Sequence, residues 1–174
     1  MIVQLDDRDL VALVSHIVRH TAESGQDGDL IFRTRDGDAP VDELETIERH
    51  KIGWAQAIDQ PFWLRTWGVA IDDRIVGHLD LYGGRMASEA HRAMLGMGIE
   101  RAHRGHGHGR ALLGTAIGWA RAAGLAWIDL GVFAHNPRAR ALYAQVGFVE
   151  LGVTRDRYRV DGRSIDDVAM ALKL

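Results

Sequence analysis

The chain contains no cysteine, and only two of its 21 basic residues, Lys51 and Lys173, are lysines. The lack of cysteine excludes disulfide bonds, metal sites built on thiolates and a cysteine nucleophile. A reducing cytoplasm is the simplest compartment for such a chain, so we expect a cytoplasmic protein. The shortage of lysine fits a coding bias towards arginine and carries no functional conclusion.

Further absences narrow the class of protein. The net charge is −3, so the strongly basic surface typical of nucleic-acid binding is not expected. No uncharged apolar run approaches the roughly 18 residues that a membrane span needs. The first nine residues lack the basic and apolar regions of a signal peptide. With 174 residues, of which 47% are hydrophobic, the chain suits one compact domain over residues 1–174.

Charge is distributed unevenly along the chain. The first sixty residues are rich in Asp and Glu, whereas residues 101–121 are rich in Arg and His. An acidic part and a basic part in one chain fit a cationic and an anionic ligand respectively. Solvated helix faces carry the same pattern, so both interpretations stay open.

Hydrophobic periodicity and turn residues predict eleven elements in the order β-α-α-β-β-β-α-β-α-β-β. Strands are expected at residues 1–5, 63–71, 74–81, 93–99, 126–133, 152–160 and 167–174. Helices are expected from Leu10 to just before Gly25, and at 42–58, 110–123 and 137–146. The segment 26–40 is predicted to be a loop with a short extended piece at 30–32.

This order predicts the fold. Strands that follow one another directly pair antiparallel, and the strand–helix–strand segment across 93–133 forces one parallel pair in the middle. The expected fold is therefore of the α/β (α+β) class, with a single mixed, mostly antiparallel sheet flanked by helices. The helix at 42–58 is expected to bury Leu44, Ile47, Ile52 and Ala55.

Three glycines, Gly105, Gly107 and Gly109, alternate just before the helix predicted from Arg110. Such a turn lets successive backbone N–H groups point into one concavity, and the helix N-terminus adds a partial positive charge. Arg104 and Arg110 can add full charges beside those amides. The segment therefore favours a phosphate or pyrophosphate ligand.

Other uses of the glycine loop fit less well. The dinucleotide pattern G-x-G-x-x-G fails in both frames, since Arg110 and Leu112 stand where the third glycine belongs, and no P-loop Gly-Lys-Ser/Thr follows. His103, His106 and His108 lack a fourth ligand and a helical spacing, so no metal is expected. A flexible turn without a ligand is the remaining alternative.

Two blocks of the sequence resemble one family. Arg104-x-x-Gly107-x-Gly109 is similar to the Q/R-x-x-G-x-G/A signature of the GNAT superfamily of N-acetyltransferases, whose loop grips the coenzyme A pyrophosphate. Residues 132–148 are similar to the family's V-x-x-x-N-x-x-A-x-x-L-Y-x-x-x-G-F block, with Asn136 and Tyr143 at its polar positions. The blocks fall in the family's order, and the similar region covers about residues 67–174. Its last part, 158–171, is similar to members that act on amino acids, polyamines or protein N-termini.

The resemblance implies a GNAT-like fold and acetyl-CoA as cosubstrate. It places the backbone of Met97, Gly98 and Ile99 beside the pantetheine arm, where an N–H can polarise the thioester carbonyl. It gives Asn136 a contact with pantetheine and makes Tyr143 the donor of a hydrogen bond or proton to the sulfur. The diphosphate would be held by the glycine-loop residues Arg104, Gly105, His106, Gly107, His108, Gly109 and Arg110.

The general base is the part of the chemistry that the sequence does not specify. Family members carry a glutamate on one of two strands, and the corresponding positions here, Ala93 and Gly131, do no proton chemistry. The candidates are Glu100, His91, His135 and Asp129, directly or through water. We rank Glu100 and His91 first because they flank the strand that would bear the thioester.

The main hypothesis is an acetyl-CoA-dependent N-acetyltransferase that acts on the primary amine of a small molecule or amino acid. With no cysteine and no G-x-S-x-G motif, direct attack in a ternary complex is expected rather than an acyl-enzyme. The alternatives are acetylation of a protein N-terminus or lysine, and a catalytically silent acyl-CoA-binding module. The two helices before Trp63 and the loop 82–89 are expected to shape the acceptor groove. The resemblance leaves a homodimer open as an alternative to a monomer.

Overall fold

The computed structural model describes residues 1–34 and 39–174. Its elements follow the predicted order, with three additional short 3-10 turns. The strands are β1 (Ile2–Gln4), β2 (Leu64–Ile71), β3 (Arg74–Tyr82), β4 (Arg92–Ile99), β5 (Trp127–Phe133), β6 (Val149–Val160) and β7 (Arg163–Lys173). The helices are α1 (Leu10–Ala22), α2 (Glu43–Ala55), α3 (His108–Ala122) and α4 (Pro137–Gln145).

The seven strands form one sheet in the order β1-β2-β3-β4-β5-β7-β6. All neighbours are antiparallel except β4 and β5, which are parallel. The predicted mixed sheet and its central parallel pair are therefore confirmed. The β4–β5 pairing consists of three residue pairs, ending at Met94 and Asp129, after which the two strands separate.

The sheet has two differently covered faces. Successive side chains of a strand point to opposite sides, so Leu79 and Leu81 of β3 pack into the main core with Leu112 and Leu113 of α3. His78, which directly precedes Leu79 and so points to the opposite side, contacts α1 instead, through His16. We call these sides the α3 face and the α1 face.

The buried side of α2 differs from the prediction. Leu44 and Ile52 are 80% and 54% exposed, so they form the outer side of the helix, and Ala55 is exposed as well. The buried residues of α2 are His50 and Gly53. Gly53 lies so close to β2 that a β-carbon on it would stand 2.5 Å from the Leu64 Cβ. Close helix–sheet contact, rather than apolar periodicity, decides which side of α2 is buried.

The connection between α1 and α2 forms no strand at residues 30–32, where a short extended piece was predicted. Its backbone is held instead by the Ser24 hydroxyl, which accepts from the Phe32 and Arg33 amides at 2.8 and 3.2 Å. Part of the predicted loop, residues 35–38, lies outside the described residues. Within the described part of the chain no helix is long and apolar enough to cross a membrane.

Candidate active site

A cavity of about 1190 Å³ lies where β4 and β5 separate, and residues of both sheet faces line it. On the α3 face the lining includes Met97, the glycine loop and α4. On the α1 face it includes Gly98, Tyr82 and the segment that follows α1. A ligand in the opening therefore has access to both faces of the sheet.

The glycine loop borders the α3-face end of this opening. Gly105 and Gly107 have φ values of +86° and +82°, a left-handed conformation that favours glycine. Gly107 is the N-cap of α3, which begins at His108, two residues before the predicted start. The first amides of a helix have no intrahelical acceptor and carry partial positive charge. They suit a phosphate group at this end of the cavity.

The predicted cofactor residues are brought together at the opening with one exception. Those that line the cavity are Met97, Gly98, Ile99, Arg104, Gly105, Gly107, His108, Gly109, Arg110 and Asn136. His106 is exposed and does not line it. Gly109 has a packing role too, because a β-carbon there would lie 2.9 Å from Cδ2 of Leu142 on α4.

The Arg104 guanidinium is directed away from the glycine loop. Its Nη1 lies 2.5 Å from Oδ2 of Asp29, and its Nη2 lies 2.9 Å from Oε2 of Glu23. Its Nε donates to the Ile99 carbonyl at 2.8 Å. The neighbouring Arg101 binds the same acidic segment. At these residues the acidic and basic parts of the sequence pair with each other. Neither of the two interpretations of the charge pattern, separate ligands or solvated helix faces, included this pairing.

Arg138 is a cationic residue of the cavity that the sequence analysis missed. It lines the cavity, and its Nη2 would lie 3.2 Å from a β-carbon on Gly105. It is the second residue of α4, where a positive charge opposes the helix dipole. An arginine at such a position is a sequence signal for an anionic ligand.

The histidines of the glycine loop show no metal arrangement. The rings of His106 and His108 have centroids 6.1 Å apart. Over residues 1–34 and 39–174, no three His, Cys, Asp or Glu side chains are grouped closely enough to hold a metal ion.

Tyr143 and Asn136 lie on α4, on the α3-face side of the opening. Tyr143 is buried and packs on Phe148 with a centroid distance of 5.8 Å. Burial raises the pKa of Tyr143 to about 12, so its phenol stays protonated at neutral pH. Asn136 caps α4, with its Oδ1 accepting from the Ala139 amide at 3.0 Å, which leaves the side-chain NH2 group as a donor.

The two first-ranked base candidates lie outside the cavity lining. The Glu100 carboxylate is bound by His16 Nδ1 at 2.9 Å and Arg19 Nη2 at 2.8 Å. Burial by itself raises the pKa of Glu100, but the hydrogen bonds from Arg19 and His16 outweigh it and lower the pKa. His91 is exposed at the start of β4, where its carbonyl accepts from the Ala126 amide. Neither placement supports a role as base.

The other two candidates are also engaged. Asp129 forms a bidentate ion pair with Arg92, at 2.7 and 2.5 Å. His135 Nε2 lies 2.8 Å from the Ile31 carbonyl, which only accepts, so this nitrogen carries the proton.

His20 of α1 was not considered in the sequence analysis, and it is the side chain that covers Gly98 on the α1 face. A β-carbon on Gly98 would lie 2.6 Å from the His20 Cε1, so only glycine leaves room for this ring. Phe32 stacks on the other side, with centroids 4.6 Å apart. Burial lowers the pKa of His20 to about 2. Of the elements expected to shape an acceptor groove, α1 lines the cavity through His20 and the loop 82–89 through Tyr82, whereas no described residue of α2 lines it.

An opening between parallel strands, with a glycine-lined helix N-terminus on one side, is an arrangement that suits a phosphate-bearing ligand. The sequence model of the acetyltransferase (GNAT) family matches residues 30–148. The chain therefore belongs to the GNAT family of acetyltransferases, which confirms the resemblance and the fold inferred from the sequence.

Two relatives and one solved structure show how close the similarity is. The chain is 30% identical over 92 residues to the uncharacterized N-acetyltransferase YycN of Bacillus subtilis, covering 52% of this chain and 59% of that protein. It is 39% identical over 66 residues to the N-alpha-acetyltransferase RimI of Mycobacterium tuberculosis, covering 38% of this chain and 40% of RimI. The chain thus matches about half of the length of these relatives.

The solved structure extends the likeness of fold to the full chain. It is that of a GNAT superfamily phosphinothricin acetyltransferase from Sinorhizobium meliloti in complex with acetyl-CoA. The two share 18% sequence identity and a TM-score of 0.81, over 100% of this chain and 88% of that one.

Proposed function

We propose that this protein transfers the acetyl group of acetyl-CoA to the primary amine of a small molecule or amino acid. The observation that carries the proposal is the cavity that both faces of the sheet line where β4 and β5 separate. A thioester entering from the α3 face and an amine entering from the α1 face meet in this opening. Direct attack then needs no acyl-enzyme, and the chain has no cysteine to form one.

The residues of the α3 face fit the cosubstrate. The amides of Gly107, His108 and Gly109 suit its diphosphate, and the nearby Arg138 adds a positive charge. The edge of β4 that separates from β5 leaves backbone groups that can pair with an extended pantetheine arm. Bound acetyl-CoA supplies the activated acetyl group.

Tyr143 fits the role of acid for the leaving sulfur. Its side chain lines the cavity, and within the described residues its hydroxyl makes no hydrogen bond. A phenol that stays protonated at neutral pH can donate to a thiolate, whose conjugate acid has a pKa near 8.5. Asn136 stands two helical turns earlier on α4 and can donate to the pantetheine.

Two alternatives have some support. The similarity to RimI favours a protein N-terminus as acceptor. The absence of a glutamate at Ala93 and Gly131 favours a silent acyl-CoA-binding module.

The main proposal has its own support on the acceptor side of the cavity. The aromatic lining of the α1 face by Phe32, Tyr82 and Tyr158 favours a small amine with an apolar part. The cytoplasmic location, the single domain over residues 1–174 and the oligomeric state stay predictions.

The test is release of coenzyme A from acetyl-CoA over a panel of amino acids, polyamines and short peptides. We expect turnover with at least one free amine, and we expect Tyr143→Phe to lower kcat by about 10- to 100-fold. Coenzyme A affinity, measured by calorimetry, stays unchanged in Tyr143→Phe because the ring contact with Phe148 is kept.

The same measurements separate the alternatives. Turnover confined to peptides supports the protein acceptor. Tight cofactor binding with no turnover on any amine supports the silent module. A wild-type rate in Tyr143→Phe assigns that side chain to packing.

A further inference from the structure

A carboxylate reaches the opening from β7. Asp167 pairs with Phe133 of β5, and directly opposite residues of paired strands share one face of a sheet. A β-carbon on Gly131, two residues before Phe133, would lie 2.9 Å from Oδ2 and 3.0 Å from Oδ1 of Asp167. The carboxylate of Asp167 therefore fills the side-chain space of Gly131, beside the separation of β4 and β5.

Asp167 differs from the other acids of the cavity in having no bound partner. The cavity is lined by the three carboxylates of Asp29, Asp129 and Asp167. Asp29 is bound by Arg104, and Asp129 is bound by Arg92. Within residues 1–34 and 39–174, the Asp167 carboxylate makes neither a hydrogen bond nor an ion pair.

The position of Asp167 is on the acceptor side of the opening. Phe133 packs with Ile31 of the α1–α2 connection, so this side of β5 and β7 is the α1 face. The other titratable or charged groups that line this side are His20, Asp29 with its partner Arg104, Tyr82, Asp129, Arg157 and Tyr158. An amine that enters from the α1 face passes these groups before it reaches the opening.

The environment of Asp167 suits proton transfer. Partial burial raises the pKa of the Asp167 carboxyl, and the charge of Arg157 only partly offsets this. A carboxylate of raised pKa is a better proton acceptor than an ordinary aspartate. His20 is nearer to Gly98, but its pKa of about 2 makes it a poor acceptor of protons.

We propose that Asp167 is the general base of this enzyme and takes a proton from the ammonium group of the acceptor. This role rests on the proposed acetyl transfer. The ammonium gives one proton to the Asp167 carboxylate, which later releases it to solvent. The neutral nitrogen bonds to the acetyl carbon as the carbon–sulfur bond breaks. The nitrogen loses its second proton to solvent, and Tyr143, which gives a proton to the leaving sulfur, takes one back from solvent, so that one proton is released overall.

The test compares Asp167→Asn with Asp166→Asn. Both variants remove one carboxylate from β7, but Asp166 points to the other face of the strand, where it lies 3.6 Å from Arg155. At pH 7 we expect kcat/KM to fall about 100-fold in Asp167→Asn and to stay near wild type in Asp166→Asn. Coenzyme A affinity is unchanged in both.

The pH profile separates proton transfer from a structural role. In Asp167→Asn only the free amine reacts, so kcat/KM rises tenfold per pH unit up to the pKa of the acceptor ammonium, near 10. The wild-type profile is flatter over that range, so the defect shrinks as the pH rises. A structural role predicts the same loss at every pH. It also predicts a lower Tm, whereas removing a partly buried carboxylate of raised pKa leaves the Tm unchanged or higher.

The outcomes distinguish this inference from the proposed function. If the wild type acetylates an amine and Asp167→Asn does so equally well, Asp167 is not the base and the acetyltransferase activity stands. A pH-independent loss in Asp167→Asn also overturns the role as base. If the wild type acetylates no amine, the proposed function fails and the role of Asp167 fails with it.

Discussion

At the scale of single residues, Gly107 is the position where a substitution tests the phosphate site. Its φ of +82° strains any other residue, and a β-carbon there meets no atom within 4 Å. Gly107→Glu therefore costs about 1–2 kcal/mol in strain and lowers the Tm by about 5 °C. We expect coenzyme A binding to be lost, because a carboxylate then stands at the helix N-terminus where the diphosphate would lie. Calorimetry and thermal unfolding measure the two effects.

Gly28 provides a matched control for that substitution. Its φ is +80°, a β-carbon on it also meets nothing within 4 Å, and it lies outside the cavity lining. Gly28→Glu should cause a similar loss of stability and leave coenzyme A affinity unchanged. Equal affinities in the two variants would remove the glycine loop from the cofactor site.

The role of a single residue could be predicted from the sequence where its interaction partner is close to it in sequence, and not where the partner is distant. Gly105, Gly107 and the cap Asn136 act through local backbone and lie before their helices, as their spacing predicted, whereas Gly109 lies inside the first turn of α3. Arg104 pairs with Glu23 and Asp29, which lie some 80 positions away in the chain. No local pattern therefore indicated that its guanidinium turns away from the glycine loop. Asp167 was missed for the same reason, since its neighbour Gly131 is on another strand.

At the scale of elements, Arg104 joins the segment after α1 to the end of β4. Through Asp29 it holds the residues that carry Leu30 and Phe32 into the cavity lining. In Arg104→Ala we expect the acceptor KM to rise about tenfold, as loss of a hydrogen bond to a charged group is worth about 1.5 kcal/mol or more. Coenzyme A affinity should change less than threefold. Steady-state kinetics and calorimetry give the two values.

Arg110→Ala is the complementary variant. Arg110 also lines the cavity, but its guanidinium bonds to Gln145 of α4 and not to the acidic segment. We expect it to weaken coenzyme A binding and to leave the acceptor KM unchanged. If Arg104→Ala weakened coenzyme A binding more than Arg110→Ala does, Arg104 would return to the cofactor site.

The helix α2 buries a different side from the one that its apolar spacing predicted. Leu44 and Ile52 follow a helical period, yet both face outward. The side that packs carries Gly53 against β2 and His50 next to Asp80, at 3.6 Å. Hydrophobic periodicity detects only the spacing of apolar side chains. The contact of α2 with the sheet depends instead on a glycine, which has no side chain, and on the polar pair of His50 and Asp80.

At the scale of the whole molecule, buried histidines make stability depend on pH. Burial lowers the pKa of His20 to about 2 and that of His78 to about 4. An unfolded chain has histidines of pKa about 6.5. Below pH 6.5 the unfolded state therefore takes up protons that the folded state does not, and stability falls as the pH falls towards 4. We expect the Tm to decline over this window.

Two histidine variants check this assignment. His20→Gln removes one of the buried groups and should reduce the slope of Tm against pH between 6.5 and 4.5. His106→Gln changes an exposed histidine and should leave the slope as in the wild type. An identical slope in all three proteins would place the pH dependence elsewhere.

The global arrangement was the most predictable part of this protein. Helices between strands dictate which pairs are parallel, so the order of elements alone led to one mixed sheet with its parallel pair in the middle. The early separation of β4 and β5 did not follow from that order.

The separation of β4 and β5 divides the sheet into two parts, β1–β4 and β5–β7, that share few backbone hydrogen bonds. Three residue pairs join β1–β4 to β5–β7 through the backbone ladder, fewer than join any other two inner strands, so this seam is the weakest line in the interior of the sheet. A ligand lying in the seam bridges both halves and acts as an additional strand would. Occupancy should therefore stiffen the molecule as a whole, and ligand-free protein should exchange amide protons fastest along this line.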